Sequence, residues 1–338
     1  MKIKKFNIKK KVFIIAEIGN NHEGSFKLAK KMINAAAKTG VDAVKFQTFI
    51  PEKFVSFEDQ SRINKLRKFQ LNYNQFSELS RFAKKKGLIF FSTPLDLKSA
   101  KFLNKIQPIF KISSGDNNFY PLIDLVASFK KPIIISTGAV NVDSIKKVYN
   151  KILKVWPVKN EAHQNLAFLH CVSSYPVPNQ QANLASITYL KKLFPDVVIG
   201  YSDHTIGITA PILSVIAGAR IVEKHFTLDK NYSDFRDHQL SADPKEMCLM
   251  VNKIREAEKM LGKEEKIPQP CEKDMHIVAR RSIAANCDLK KGTKLLISHL
   301  TWVRPGHGFP PGNEKKIIGK KITKSLKMGE IIMKSDLK

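Results

Sequence analysis

Cysteine is scarce in this 338-residue chain: Cys171, Cys248, Cys271 and Cys287 are widely spaced and no two form a C-x-x-C pair. That spacing argues against a disulfide framework and leaves free thiols in a reducing compartment as the expectation. Long apolar runs are also missing. The N-terminal stretch MKIKKFNIKKKVFIIAEIG has a basic flank, but Glu17 interrupts its apolar run after about five residues, too few for a signal segment or a membrane span. A cytoplasmic protein without membrane association is expected. Acidic residues are outnumbered, 30 against 58 lysines and arginines, for a formal charge of +28, yet only nine of the 58 are arginine. Lysines scattered along helix faces, such as Lys84, Lys85, Lys191 and Lys192, read as a solvated surface, so nucleic-acid binding is not expected. No G-x-G-x-x-G marks a strand-to-helix turn, which argues against a dinucleotide-binding sheet.

What the chain does have is a rhythm. Short apolar runs at 12–18, 42–49, 88–93, 110–113, 132–137, 166–171, 197–202 and 220–226 alternate with helical patterns, among them 26–37, 73–86 and 244–261. Continuous apolar runs of this length suit strands buried on both faces. Eight such strands alternating with helices predict a (β/α)8 TIM barrel over residues 1–263. A charged, proline-bearing linker follows at 264–277. Residues 278–338 show short apolar segments at 279–285, 295–297, 300–303 and 331–333, split by glycine- and proline-rich turns, and predict a small β-rich domain.

In a barrel the C-terminal strand ends converge, so the polar residues there are the candidates. His204 and His225 end the seventh and eighth strands, whose helical crossover places both imidazoles on one edge of the sheet. Two neutral imidazoles near Glu17 and Asp237 suit a divalent metal with open positions. Lys45 and Lys111 would be nearly buried, and a buried ammonium is costly unless an anion neutralises it. The partner is either a protein carboxylate, Glu17 or Asp116, or a bound phosphate and carboxylate, which the surrounding hydroxyls would help to hold.

The motifs AEIGNNHEG (16–24), VKFQTF (44–49), FSTP (91–94), FKISSGD (110–116), IISTGA (134–139), LHCVSSYP (169–176), GYSDHT (200–205) and EKHFTLDK (223–230) resemble those of the bacterial sialic acid synthase family, which includes N-acetylneuraminate, legionaminate and pseudaminate synthases. RRSIAANCDLKKGTKL and WVRPGHG resemble that family's C-terminal antifreeze-like (SAF) domain.

The resemblance implies a metal-dependent condensation of phosphoenolpyruvate with an N-acetylated amino sugar, N-acetylmannosamine or a related 2,4-diacetamido sugar, giving a nonulosonic acid and phosphate. It implies Mn2+ or Mg2+ on His204 and His225. Phosphoenolpyruvate would be held by Lys45, Gln47, Thr93, Lys111, Ser114, Ser136, Tyr175 and Ser202, and the sugar by Glu17, Asp237 and Arg304. Glu17, Asp116 and Lys45 are the candidate catalytic groups. Arg304 would reach the barrel of a second subunit in a homodimer with exchanged SAF domains; the alternative is a surface charge paired with Glu314. Three departures stand out: Asp116 replaces the family's usual Glu, residues 235–238 read FRDH instead of GPDH, and Ser173 stands where Asn or Thr is common. The SSGD motif leans away from the pseudaminate branch. Two other functions compete: a Schiff-base aldolase using Lys45 or Lys111, and a non-enzymatic carbohydrate-binding protein.

Overall fold

The computed structural model of the chain describes residues 1–156 and 165–338 and divides into two compact units, Met1–Gly262 and Lys263–Lys338. The first unit is a parallel barrel built from β1 (Phe13–Gly19), β2 (Ala43–Thr48), β3 (Ile89–Pro94), β4 (Phe110–Ile112), β5 (Ile133–Ser136), β6 (Leu166–Cys171), β7 (Val198–Asp203) and β8 (Ile221–His225). Their order around the barrel is β3-β2-β1-β8-β7-β6-β5-β4, every ladder parallel. Between β3 and β4 the Gln107 side chain takes over from a ladder, its Oε1 accepting the Ser92 N–H at 2.8 Å.

Strand alternation divides each strand into two faces. Ile14, Ala16 and Ile18 of β1 pack with Val44, Phe46, Val222 and the helix Phe26–Lys38 in the layer between sheet and helices. Phe13, Ile15, Ala43, Phe91, Ile134, Ala167, Leu169 and Ile221 fill the lower barrel interior. Gly200 belongs to this close packing, since a Cβ there would collide with Leu169 and the Ile221 carbonyl. Continuing up the same inward rows, the residue type changes from apolar to charged: Ile15 gives way to Glu17, Ala43 to Lys45, Ile109 to Lys111 and Ile221 to Glu223. The lower interior is therefore a packed core and the upper interior a polar chamber.

Helix starts follow local chemistry. Ser25 accepts the Leu28 N–H, and Asn72 and Asp243 each form a capping box, with Gln75 and Glu246. Three elements depart from the sequence expectation. A hairpin, Lys2–Ile3 with Phe6–Asn7, sends Met1, Ile3 and Ile8 into the lower barrel core where only a basic flank was expected. Helices Gln60–Phe69 and Leu97–Leu103 were not foreseen; the first is almost wholly polar and buries only Ile63 fully, so it carries no apolar stripe. Strand ends shift by one residue in several places.

The second unit pairs Ser282–Ala285 (β9) antiparallel with Leu300–Val303 (β10) around a core of Ile283, Leu289, Leu295, Ile317, Ile322, Leu326 and Ile332. The other short apolar segments, 295–297 and 331–333, form no strand: Ile297–His299 is a 3-10 turn and Ile331 makes one isolated bridge to Ala284. Turns at Gly292, Gly319 and Gly329, all with positive φ, keep each segment too short for a longer ladder. Among the described residues no helix is long and apolar enough to cross a membrane.

Candidate active site

The charged inward rows meet at the top of the barrel. Lys45 Nζ lies 3.0 Å from Glu17 Oε1 and 3.5 Å from Glu223 Oε1, and donates to Thr93 Oγ1 at 3.3 Å. Lys111 Nζ lies 3.3 Å from the same Glu223 oxygen, which also accepts the Ser202 hydroxyl at 2.9 Å. All these side chains are buried. The two ammoniums are thus neutralised by two carboxylates, of which one, Glu17, was named from sequence and the other, Glu223, was not. Asp116, the other partner considered, makes no ion pair with Lys111; its carboxylate accepts the Ser113 hydroxyl instead.

The two carboxylates titrate in opposite directions. Burial raises Glu17, and the neighbouring Glu223 charge raises it further against the pull of Lys45. Burial works on Glu223 as well, but Lys111 and Lys45 outweigh it and hold the group at about 2. Burial also lowers Lys111, while Lys45, between two carboxylates, is shifted up despite its desolvation. The chamber floor therefore carries a firmly held anion, Glu223, and beside it Glu17, whose carboxyl burial shifts upward against its Lys45 ion pair. Glu17 Oε2, Glu223 Oε2 and Ser136 Oγ are buried without a hydrogen-bond partner within the protein, so these atoms are available to a polar ligand.

His204 and His225 stand above this floor with ring centroids 5.5 Å apart. His204 Nδ1 donates to the Val172 carbonyl at 2.8 Å, with the Cys171 sulfur 3.8 Å away, so in the neutral ring Nε2 carries the lone pair. His225 is held well below its usual value, chiefly by burial and then by His204, so it is neutral. Its Nδ1 is buried without a hydrogen bond, and the buried Oδ1 of Asp237 has only the 3.4 Å ion-pair contact with Arg236 Nε. Among the described residues no three His, Cys, Asp or Glu side chains enclose an ion position. The donor set fits a divalent metal held by two imidazoles, with its remaining positions left to water or substrate oxygens. Tyr175 packs on His204 at 4.1 Å between centroids, and the Arg236 guanidinium carbon lies 4.5 Å from the Tyr175 ring centroid while Nε pairs with Asp237 at 3.4 Å.

The loops after β4, β5 and β6 supply hydroxyls. Ser114 Oγ accepts the Gly138 N–H at 3.0 Å, and a Cβ at Gly138 would collide with the Ser114 and Ser173 oxygens, so glycine is required for this approach. Asn117 ties the two loops together through the Ser114 and Ser136 carbonyls. One cavity of about 990 Å³ is lined by every sequence candidate of the barrel, Glu17, Lys45, Gln47, Thr93, Lys111, Ser114, Asp116, Ser136, Tyr175, Ser202, His204, His225 and Asp237. Arg304 belongs to the second unit, where it is exposed beside Pro305 and His307. Glu314, its suggested surface partner, instead accepts the Trp302 indole N–H at 2.7 Å and the Gly312 N–H.

The same cavity is lined by residues that sequence reasoning missed. Glu223 was legible in principle, because it is the inward residue of the alternation 221, 223, 225. Arg62, Lys65, Leu66 and Phe69 come from the unforeseen helix Gln60–Phe69. Other polar residues at strand ends are structural. His170 Nε2 faces the Ala182 carbonyl at 2.8 Å, His22 accepts the Gly24 N–H, and His238 sits between Thr227 and Glu23.

Comparison with known proteins matches residues 32–266 to the NeuB family and residues 280–338 to the SAF domain. An uncharacterized protein of Methanocaldococcus jannaschii is 44% identical over 96% of this chain and 94% of its own length. The N,N'-diacetyllegionaminic acid synthase of Campylobacter jejuni is 37% identical over 96% of this chain and 99% of its own. Among solved structures, the N-acetylneuraminic acid synthetase of Leptospira borgpetersenii, in complex with citrate, superposes with a TM-score of 0.76 at 33% identity, covering 81% of this chain and 94% of that one.

Proposed function

We propose, from the premise that this chain belongs to the NeuB family, that it condenses phosphoenolpyruvate with the open aldehyde form of an N-acetylated amino sugar, giving a nonulosonic acid and inorganic phosphate. The observation that carries the reading is the pair of buried ammoniums, Lys45 and Lys111, at the base of a chamber lined by Thr93, Ser114, Ser136 and Ser202. A small molecule bearing both a phosphate and a carboxylate matches two cations and a ring of hydroxyl donors.

The net reaction forms one carbon–carbon bond, consumes water and releases phosphate. A proton must reach the aldehyde oxygen, and one must leave the water. Glu17, whose carboxyl is raised by burial and whose Oε2 has no internal partner, is suited to hold the mobile proton. Asp116, also raised by burial, is the second candidate, one methylene shorter than the Glu usual in the family. Lys45 bridges both carboxylates and aligns Glu17 over the anion site. Asp237 and Arg236 line the outer part of the chamber, where the sugar would lie.

His204 and His225 would hold Mn2+ or Mg2+, and the ion when bound would polarise the aldehyde carbonyl. Tyr175, packed on His204, shields that face from water. The homodimer with exchanged SAF domains, in which Arg304 of one subunit serves the sugar bound by another, belongs to the same proposal. The test is a panel measuring phosphate release from phosphoenolpyruvate with N-acetylmannosamine and with 2,4-diacetamido sugars. Release with one of these identifies the substrate; none with any sugar overturns the reading.

A further inference from the structure

The ends of β7 and β8 carry a second ion pair on the side away from the chamber. Asp203 and Lys224 are register partners on these strands, and each immediately precedes one of the two histidines. Lys224 Nζ lies 2.6 Å from Asp203 Oδ2 and donates to the Thr205 carbonyl at 2.5 Å; neither charged side chain has any solvent exposure. Asp203 Oδ1 accepts the Tyr201 hydroxyl at 2.9 Å, the Thr205 N–H at 3.0 Å and the Thr205 hydroxyl at 2.9 Å. The residues flanking His204 on both sides are thus tied to Lys224, the residue before His225. Nearby Val222 and Phe226 belong to an apolar layer.

A buried ion pair in such a layer gives little net stability over well-packed apolar side chains, because desolvation offsets the attraction. Stability alone therefore does not account for it. We propose that the Asp203–Lys224 pair is a positioning device that fixes the spacing and the ring orientation of His204 relative to His225, and so sets the affinity of the two-histidine site for a divalent cation. Every side-chain hydrogen bond of Asp203 acts on residue 201, 205 or 224, while the His204 ring itself meets the Val172 carbonyl, the Cys171 thiol and the Tyr175 ring. The proposal rests on the two-histidine metal reading for its consequence, but the ring orientation it describes exists without metal.

The test compares the wild-type chain with the double variant Asp203→Leu/Lys224→Met, which keeps the heavy-atom branching at residue 203 and nearly the length at residue 224 and leaves no unpaired charge. Manganese binding is followed by electron paramagnetic resonance, and selective 15N-histidine labelling of metal-free protein reports the tautomer of His204. The expected result is a folded double variant whose Mn2+ dissociation constant rises by about 10- to 100-fold, the range seen when groups supporting metal ligands are lost, with a mixed His204 tautomer in place of the single Nδ1–H form. Wild-type affinity and a single tautomer in the folded double variant would overturn the proposal. If the double variant fails to fold, Tyr201→Phe, which removes one hydrogen bond from Asp203 and no charge, should shift both readouts in the same direction; no shift overturns it. Wild-type protein that binds no Mn2+ would sink the metal reading alone, and the tautomer comparison would still decide the clamp.

Discussion

Lys111 Nζ lies 3.3 Å from Glu223 Oε1, and both side chains are almost free of solvent. Glu223 therefore occupies, without ligand, the charge role that a substrate anion would take. It competes for the cations that the anion needs, and it keeps two ammoniums from repelling each other in a buried chamber. In the proposed reaction, affinity for phosphoenolpyruvate would be a difference between two anions at one pair of lysines.

Lys111→Met is expected to raise the KM for phosphoenolpyruvate by about 10- to 100-fold, the equivalent of one lost charged hydrogen bond of about 1.5–3 kcal/mol. The sugar KM should move far less, because the aldehyde substrate carries no charge for Lys111 to hold. Initial rates at varied phosphoenolpyruvate check this, and an unchanged dependence would return Lys111 to a purely structural ion pair. Borohydride with pyruvate should trap no adduct on Lys45 or Lys111; an adduct would favour the Schiff-base alternative.

Glu223→Gln removes the internal competitor. Leaving the lysines undercompensated should destabilise the ligand-free protein by about 3–5 kcal/mol, as expected when a buried pair loses one partner. Phosphoenolpyruvate should then recover more thermal stability in the variant than in wild type, since it supplies the missing charge. Thermal melts with and without the ligand measure the difference. Equal ligand-induced shifts would show that Glu223 and the substrate do not share the same cations.

Chelation followed by dialysis should abolish phosphate release, and Mn2+ or Mg2+ should restore it. His225→Ala should lose both the metal and the activity, because the two imidazoles have no third protein ligand near them among the described residues. Metal content measured alongside turnover checks this. Wild-type turnover in a chelator-treated His225→Ala protein would remove the two-histidine site.

Asp116 gives a pH prediction. Burial raises its carboxyl against the opposing Ser113 hydroxyl and Lys111. The unfolded chain therefore releases this proton first as pH rises, at about pH 4, while the fold holds it longer. Folding is favoured by the bound proton at low pH and loses that contribution as pH climbs from about 4 through the folded value. Asp116→Asn, which never ionises and can still accept from Ser113, should match wild-type stability below pH 4 and exceed it at neutral pH. A stability gap that shrinks with rising pH would contradict the raised carboxyl.

Much of this was legible in the sequence, for reasons tied to particular residues. Apolar runs such as FIIAEIG revealed the barrel because a strand buried on both faces has no polar alternation to hide it, and His204, His225, Lys45 and Lys111 stood out as charged or titratable breaks at the ends of such runs. Glu223 escaped because it reads as part of a charged triplet, EKH, in which only the period-two geometry tells the inward Glu223 from the outward Lys224. Helix Gln60–Phe69 escaped because its polar surface leaves no apolar stripe, although four of its residues line the chamber. Asp203, a polar residue at a strand end beside His204, is the centre of a hydrogen-bond network turned away from the chamber.

The last prediction concerns assembly. Arg304 is exposed in its own unit, and the carboxylate offered as its partner, Glu314, is occupied by Trp302 and Gly312, so the simplest surface explanation for Arg304 has no contact behind it. Surface ion pairs contribute little in any case, about 0–1 kcal/mol. If Arg304 of one subunit completes the sugar site of another, His204→Ala and Arg304→Ala proteins should each be inactive in pure form. A mixed dimer holds one site with both residues intact, so mixing should restore up to about half of the wild-type activity per mixed dimer. Subunit exchange is verified by native mass spectrometry and phosphate release is followed over the same time course. Exchange without recovered activity would refute the shared site while leaving the chemistry of Lys45, Lys111 and Glu17 in the barrel untouched.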